Sequence, residues 1–170
     1  MKAYLSTLII MLIIFSCNSG TTMQNLKTIE LQNNWEFRQA GKDAWLPAEV
    51  PGCVHTDLLK NNKIEDPFYR LNEHDLQWID KKDWEYKTHF QIDDKMLTKD
   101  KVELHFEGLD TYAEVYLNGE HILSADNMFR EWNVDCKNLL EPGKNELQIL
   151  FKSPINIGLE KLANAKVDYP

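Results

Sequence analysis

The chain is short of positive charge, with 19 lysines and arginines against 27 aspartates and glutamates and a formal net charge of −8 over 170 residues. Nucleic acid and anionic membrane surfaces need clustered Lys and Arg, and here the charges are interspersed without a long single-sign block. Cysteine occurs 3 times, at Cys17, Cys53 and Cys136, too seldom for a disulfide framework. Both Cys53 and Cys136 are expected to be buried free thiols. The 7 glycines form no phosphate-cradling loop, and no Gly-x-Ser-x-Gly turn presents a nucleophile. The 5 histidines (55, 74, 89, 105, 121) include no His-x-x-x-His pair and no partnered cysteines, so neither a metal nor a cofactor is expected. His89 and His105 both fall on outward strand positions. Cys53-Val54-His55 sets its thiol and imidazole on divergent neighbours. No stretch approaches the roughly 20 apolar residues that cross a bilayer.

What is present begins with a leader. Lys2 gives a positive start, Tyr4 to Phe15 (YLSTLIIMLIIF) is a short apolar run, and Ile14-Phe15-Ser16-Cys17 precedes the polar Asn18-Ser19-Gly20. This resembles a bacterial lipoprotein cleavage box. Residues 1–17 therefore read as a lipoprotein-type signal peptide with Cys17 as the lipidated residue, and 18–27 as a flexible tether. The expected location is exported: lipid-anchored to a bacterial membrane on its periplasmic or surface side, or periplasmic if Cys17 carries no lipid. The membrane is then met only through the anchor.

The remainder has enough apolar content, 43% hydrophobic overall, for a sizeable core. Period-2 alternation recurs. Val102, Leu104 and Phe106 share one face of "VELHF", and Ala113, Val115 and Leu117 share one face of "AEVYL". Leu147, Ile149 and Phe151 do the same, as do Tyr86, Thr88, Phe90 and Ile92, and Trp35 with Phe37. Asn118-Gly119 between alternating runs marks a hairpin, and Glu141-Pro142-Gly143-Lys144 marks a turn. Short alternating strands with such punctuation predict an all-β, antiparallel sandwich. Helix is minor: one or two turns with Val54, Leu58 and Leu59 at helical spacing, and a short helix or arm in "INIGLEKLANAK". Residues 28–154 read as the sandwich, and 155–170 as an arm that stops short of a packed end, as in a truncated gene or a fragment.

Glycosidases place two carboxylates about the scissile bond. Asp93-Asp94 sit in a strand-ending turn, Glu103 and Glu107 point outward, and Asp80 and Asp83 share a Lys-rich loop. None has an apolar enclosure that raises a carboxyl pKa for acid work, so no catalytic residue is assigned. The aromatic stretch "DPFYRLNEHDLQWIDKKDWEYKTHF", residues 66–90, suits sugar stacking and packing against another domain equally.

Several segments together resemble one family. "PAEVPGCVHTDLLKNNKIEDPFYRLNEHDLQWIDKKDWEYKTHF", "LHFEGLDTYAEVYLNG", "ADNMFREWNVD" and "PGKNELQILFKSP" are similar to the N-terminal sugar-binding domain of β-mannosidases of glycoside hydrolase family 2. The resemblance runs from about Trp35 to Pro154. It implies a jelly-roll-like (galactose-binding-domain-like) sandwich, incomplete here at the C-terminus, followed by immunoglobulin-like and (β/α)₈-barrel domains. In that family two barrel glutamates carry out retaining hydrolysis of terminal β-mannosides, and no position here matches their motifs. A Trp-Asp-Trp loop of the family falls beyond Pro170. The loop before the Trp84 strand implies Trp78 and Asp83 as substrate-wall residues, with β-mannoside glycans as partners of the full-length enzyme. Phe68, Tyr69, Arg70, Asn72 and Glu73 read as a clasp on the missing domains, and Asn127 and Arg130 as a turn cap. The competing readings are a stand-alone carbohydrate-binding lipoprotein module, or another family 2 exo-glycosidase acting on glucosaminides or galactosides.

Overall fold

Strand formation follows the period-2 patterns, because alternate side chains of a pleated strand face opposite sides. The computed structural model describes residues 26–165; Cys17 and the leader lie outside them. The strands are β1 (Trp35–Gln39), β2 (Leu46–Ala48), β3 (Trp84–Ile92), β4 (Glu103–Phe106), β5 (Tyr112–Leu117), β6 (Glu120–Ala125), β7 (Trp132–Asp135) and β8 (Gly143–Lys152). Six of them form an antiparallel sheet in the order β2-β1-β3-β8-β5-β6, and β4 with β7 forms a second, two-stranded sheet. The described chain is thus an antiparallel β-sandwich, as the alternation predicts. β3 and β8 are the central pair, in register from Trp84 opposite Phe151 to Ile92 opposite Gly143.

The core lies between the sheets. Trp35, Phe37, Trp84, Tyr86, Val115, Leu117, Leu147 and Ile149 are buried on the inner face of the large sheet. Leu104, Phe106 and Trp132 of the small sheet pack against them. Each fully buried side chain of this size contributes about 1.5–3 kcal/mol. Phe37 lies against Trp84 and Tyr86 at ring distances of 6.0 and 5.6 Å. The outer face is polar: Glu114 accepts from Lys152 Nζ (2.7 Å), from Ser124 Oγ and from His121 (2.8 Å). These donors pull the Glu114 pKa down from 4.5 to about 2, the Lys152 hydrogen bond contributing most.

The Asn118-Gly119 hairpin forms as read, with φ of 51° and 85°. Asn118 also has a second role that propensity does not show. Its Nδ2 donates to Leu139 O and to Asn145 Oδ1, both at 2.8 Å, and its Oδ1 accepts from Glu146 N. Asn145, fully buried, donates in turn to Glu141 O and Gly143 O. The two asparagines lock the β5–β6 hairpin to the turn before β8.

Four short α-helices, α1 (Val54–Lys60), α2 (Asn72–Asp75), α3 (Asp94–Leu97) and α4 (Pro154–Ala163), and two 3-10 turns, Ile79–Lys81 and Lys137–Leu139, complete the described chain. Asp93 caps α3 by accepting from Met96 N at 2.7 Å. In α1 two of the three expected apolar positions, Val54 and Leu58, pack on the core, and the third does not. Leu58 is buried, Leu59 is exposed, and the inward neighbour is Asp57. Cys53 also departs from expectation: it lies exposed at the N-cap of α1, because Pro51-Gly52 turns the chain outward there, whereas Cys136 is buried as read. The predicted short helix near the C-terminus is α4, begun by the Ser153 side chain accepting from Asn156 N, with Pro154 in its first turn.

Candidate functional site

Strand register gathers the loops of interest at one end of the sandwich. Gln39 pairs with Trp84, Trp84 with Phe151, Phe151 with Ala113, and Ala113 with Ala125. This row is one end of the large sheet, and the Phe106–Trp132 pair ends the small sheet on the same side. From it leave the Ile79–Asp83 segment before β3, the 107–111 loop before β5, the 126–131 loop after β6, and Ser153 with α4 after β8.

Ile79–Lys81 is a 3-10 turn. Ile79 is buried beneath it, and Trp78 at its N-terminus is 38% exposed, its ring tilted over Trp84 at 6.0 Å. A short helical turn leaves most of its carbonyls without internal partners, and here three consecutive ones are taken by side chains, Ile79 O sharing with the Lys82 amide. Ile79 O accepts from Trp84 Nε1 (3.0 Å), Asp80 O from Ser153 Oγ (2.7 Å), and Lys81 O from Asn156 Nδ2 (3.1 Å). Asp83 returns the contact by accepting the Ser153 backbone N–H at Oδ1, 2.7 Å away. Asp83 lies five positions after Trp78, with one carboxylate oxygen committed to the chain leaving β8.

Next to this turn a shallow cavity of about 240 Å³ is lined by His55, Pro67, Glu73, Leu76, Gln77 and Asp80. Asp80 Oδ1 is shielded from solvent and has no hydrogen-bond donor among the described residues. Pro67 brings the 66–72 segment to the edge of the cavity. Asp66 Oδ1 accepts from Phe68 N (2.9 Å) in an Asx turn, Asn72 Nδ2 donates to Asp66 O (2.8 Å), and Arg70 (φ 54°) lies over the Tyr69 ring at 5.1 Å. The turn leaves Phe68 96% exposed, with Tyr69 and Leu71 also out. The 126–131 loop repeats the device: Asn127 Oδ1 accepts from Phe129 N at 2.9 Å, Phe129 is 89% exposed, and Arg130 lies over Trp132 at 4.2 Å. The Asn127 cap is as read from the sequence, whereas Arg130 stacks on Trp132 in place of capping the turn; the exposed Phe129 was not singled out there.

The sequence also missed Asp57. It is 1% exposed and lies between α1, the chain after β2 and β3: Oδ1 accepts from Glu49 N (3.0 Å) and Oδ2 from Tyr86 Oη (2.8 Å). Burial, and then the charge of Asp57, push the Tyr86 phenol far above its ordinary value of 10.0. His89 and His105, adjacent candidates by alternation, stand on different sheets, one facing Glu146 (3.0 Å) and the other Asn133 (2.8 Å). Among the described residues no group of His, Cys, Asp and Glu is arranged to hold a metal ion, and no helix is long and apolar enough to cross a membrane.

A two-layer antiparallel sheet packing with exposed aromatics and hydrogen-bonding loops gathered at one end defines a β-sandwich domain that presents its contact residues on loops. The chain belongs to the glycosyl hydrolase 2 galactose-binding domain-like family, whose profile matches residues 35–170. It is 37% identical over 146 residues to a β-mannosidase of Bos taurus, covering 86% of this chain and 16% of that protein. A crystal structure of a β-D-mannosidase from Dictyoglomus thermophilum superposes with a TM-score of 0.82 and 41% identity, covering 84% of this chain and 18% of that one. An exo-chitosanase from Amycolatopsis orientalis shares the fold at a TM-score of 0.62 and 20% identity, over 69% of this chain and 16% of that one. The 170 residues thus span about a sixth of the curated relative they match.

Proposed function

We propose that this chain is the N-terminal, sugar-binding-type domain of an exo-acting, retaining β-mannosidase that removes terminal β-D-mannosyl residues from glycans. The observation that carries the reading is the depth of the likeness to the Dictyoglomus enzyme, 41% identity across 84% of this chain. The exo-chitosanase, a glycosidase with another specificity, stands at 20%. In this reading the acid/base and nucleophile belong to a (β/α)₈ barrel outside the 170 residues, reached through an immunoglobulin-like domain. The sandwich supplies a wall to the sugar pocket, with Trp78 stacking on an apolar sugar face. Phe68, Tyr69, Arg70, Asn72 and Glu73 form the clasp on the other domains; the 96% exposure of Phe68 and the Asx turn that presents it support that role. A jelly-roll arrangement of the layers, export by the leader and lipid attachment at Cys17 belong to the same proposal.

The test is a chimera in which residues 28–165 replace the matching part of the Dictyoglomus β-D-mannosidase. It is expected to hydrolyse an aryl β-D-mannoside, with the first product retaining the β configuration by NMR. A folded, soluble chimera without that activity overturns the reading. The anchor is tested separately: labelled palmitate fed to a bacterial host is expected on the full chain and absent from Cys17→Ala.

A further inference from the structure

The segment that carries Trp78 is held in place by residues about seventy positions further along the chain. All three carbonyls of the Ile79–Lys81 turn are hydrogen-bonded by side chains, two of them from the start of α4. Ser153 is 1% exposed and commits both its hydroxyl and its N–H to this junction. Its Oγ donates to Asp80 O and accepts from Asn156 N, and its N–H donates to Asp83 Oδ1. The Asp83 backbone is fixed as well, its carbonyl accepting from Ala40 N at 2.9 Å. A charge-assisted bond of 2.7 Å to a buried amide is among the stronger contacts available to an exposed loop. Nothing so connected is needed to fold β3, whose nine-residue ladder with β8 is complete without it.

We propose that Asp83 and Ser153, assisted by Asn156, are positioning residues that splint the Trp78 turn to α4 and so fix the sugar-facing wall. Asp83 then acts through Trp78, in place of touching sugar itself. α4 is the splint, and its Lys161 Nζ, which donates to Tyr112 Oη at 3.0 Å, pins the helix back onto the start of β5. The proposal rests on the reading of Trp78 as a sugar-facing residue, but its test contains no sugar, so the two fail separately.

The experiment uses the full chain labelled with 5-fluorotryptophan, the Trp78 fluorine resonance being assigned by its loss in Trp78→Phe. Amide exchange is followed in parallel at Lys81 and Lys82, whose N–H groups close the turn onto Trp78 O and Ile79 O. Asp83→Ala and Ser153→Ala are expected to move or broaden the Trp78 resonance and to speed those two amides roughly tenfold or more. Asp83→Asn and Ser153→Thr keep an acceptor and a hydroxyl and are expected to stay near wild type. An unmoved Trp78 resonance with wild-type exchange in both alanine variants overturns the proposal, whatever their melting temperatures. So does an Asp83→Asn as disruptive as Asp83→Ala. Should the alanine variants not fold, Asn156→Ala decides, because it removes only the exposed bond to Lys81 O. A smaller shift in the same direction supports the splint, and no shift refutes it.

Discussion

Tyr86→Phe is the sharpest available test of how this sandwich is held at its α1 corner. The ring of Tyr86 packs on Phe37 at 5.6 Å and meets Phe151 edge-on at 5.8 Å, contacts that phenylalanine retains. Only the hydroxyl is lost, and with it the 2.8 Å donor to Asp57 Oδ2. Asp57 is 1% exposed and keeps one other partner, the amide of Glu49. Hydrogen bonds to charged groups contribute about 1.5–3 kcal/mol, and an acceptor left buried without a donor adds its own desolvation cost. A loss of about 2–3 kcal/mol follows, or a fall in Tm of roughly 5–10 °C for a domain of this size. Equilibrium urea unfolding followed by tryptophan fluorescence reads it directly, with an unchanged m-value expected. Combining the change with Asp57→Leu gives a cycle: once the carboxylate is gone, Tyr86→Phe should cost little. A Tyr86→Phe protein within 0.5 kcal/mol of wild type would refute the argument. It would mean that the carboxylate finds another donor when the phenol is absent.

The pH limbs follow from the same groups and from the outer face. The Tyr86 phenol titrates higher folded than unfolded, so its stabilisation is complete below pH 10 and lost as pH rises above it; Tyr86→Phe should flatten the alkaline limb of a Tm–pH profile. Glu114 titrates lower folded, near 2 against 4.5, so its contribution is present above pH 4.5 and is lost on descending toward 2; Glu114→Gln should flatten that acid limb. In Gly52→Ala the new Cβ meets the carbonyl oxygen of Glu49 at less than any real contact distance, and thermal melts should show a loss of about 1–3 kcal/mol. Trp78→Phe, which keeps a ring on Trp84, should leave the domain folded yet lower the kcat/KM of the β-mannosidase chimera; unaltered kinetics would remove Trp78 from the pocket wall.

The strands were legible because burial on a two-sided sheet writes itself as alternation, and Val115 and Leu117 are fully buried as their spacing demands. The asparagine hairpin was legible for a different reason, the tolerance of Asn-Gly for positive φ. Buried polar residues leave no such trace. Asp57 and Asn145 carry the same letters as surface residues, and only the partners that reach them, Tyr86, Glu49 and Asn118, distinguish them. Leu59 misled because a seven-residue helix has too few turns to define its inner face from three apolar positions. At the candidate site the run of Trp78 to Asp83 could be singled out locally. Its attachment to Ser153 could not, since that contact exists only once β8 has paired with β3 and delivered its end beside the turn.

That central pairing also sets the order in which the molecule can be made. Trp84 faces Phe151, and β8 lies between β3 and β5 in the large sheet. A chain emerging from the ribosome has therefore produced β1 through β7 before the strand that joins them exists. Until then β3 and β5 each present a bare edge, the pairing must close a loop of roughly fifty residues between Ile92 and Gly143, and non-local closures of this kind are slow. In a bacterium that exports the chain as proposed, this late joining favours crossing the membrane unfolded, because the large sheet cannot close before β8 is translated.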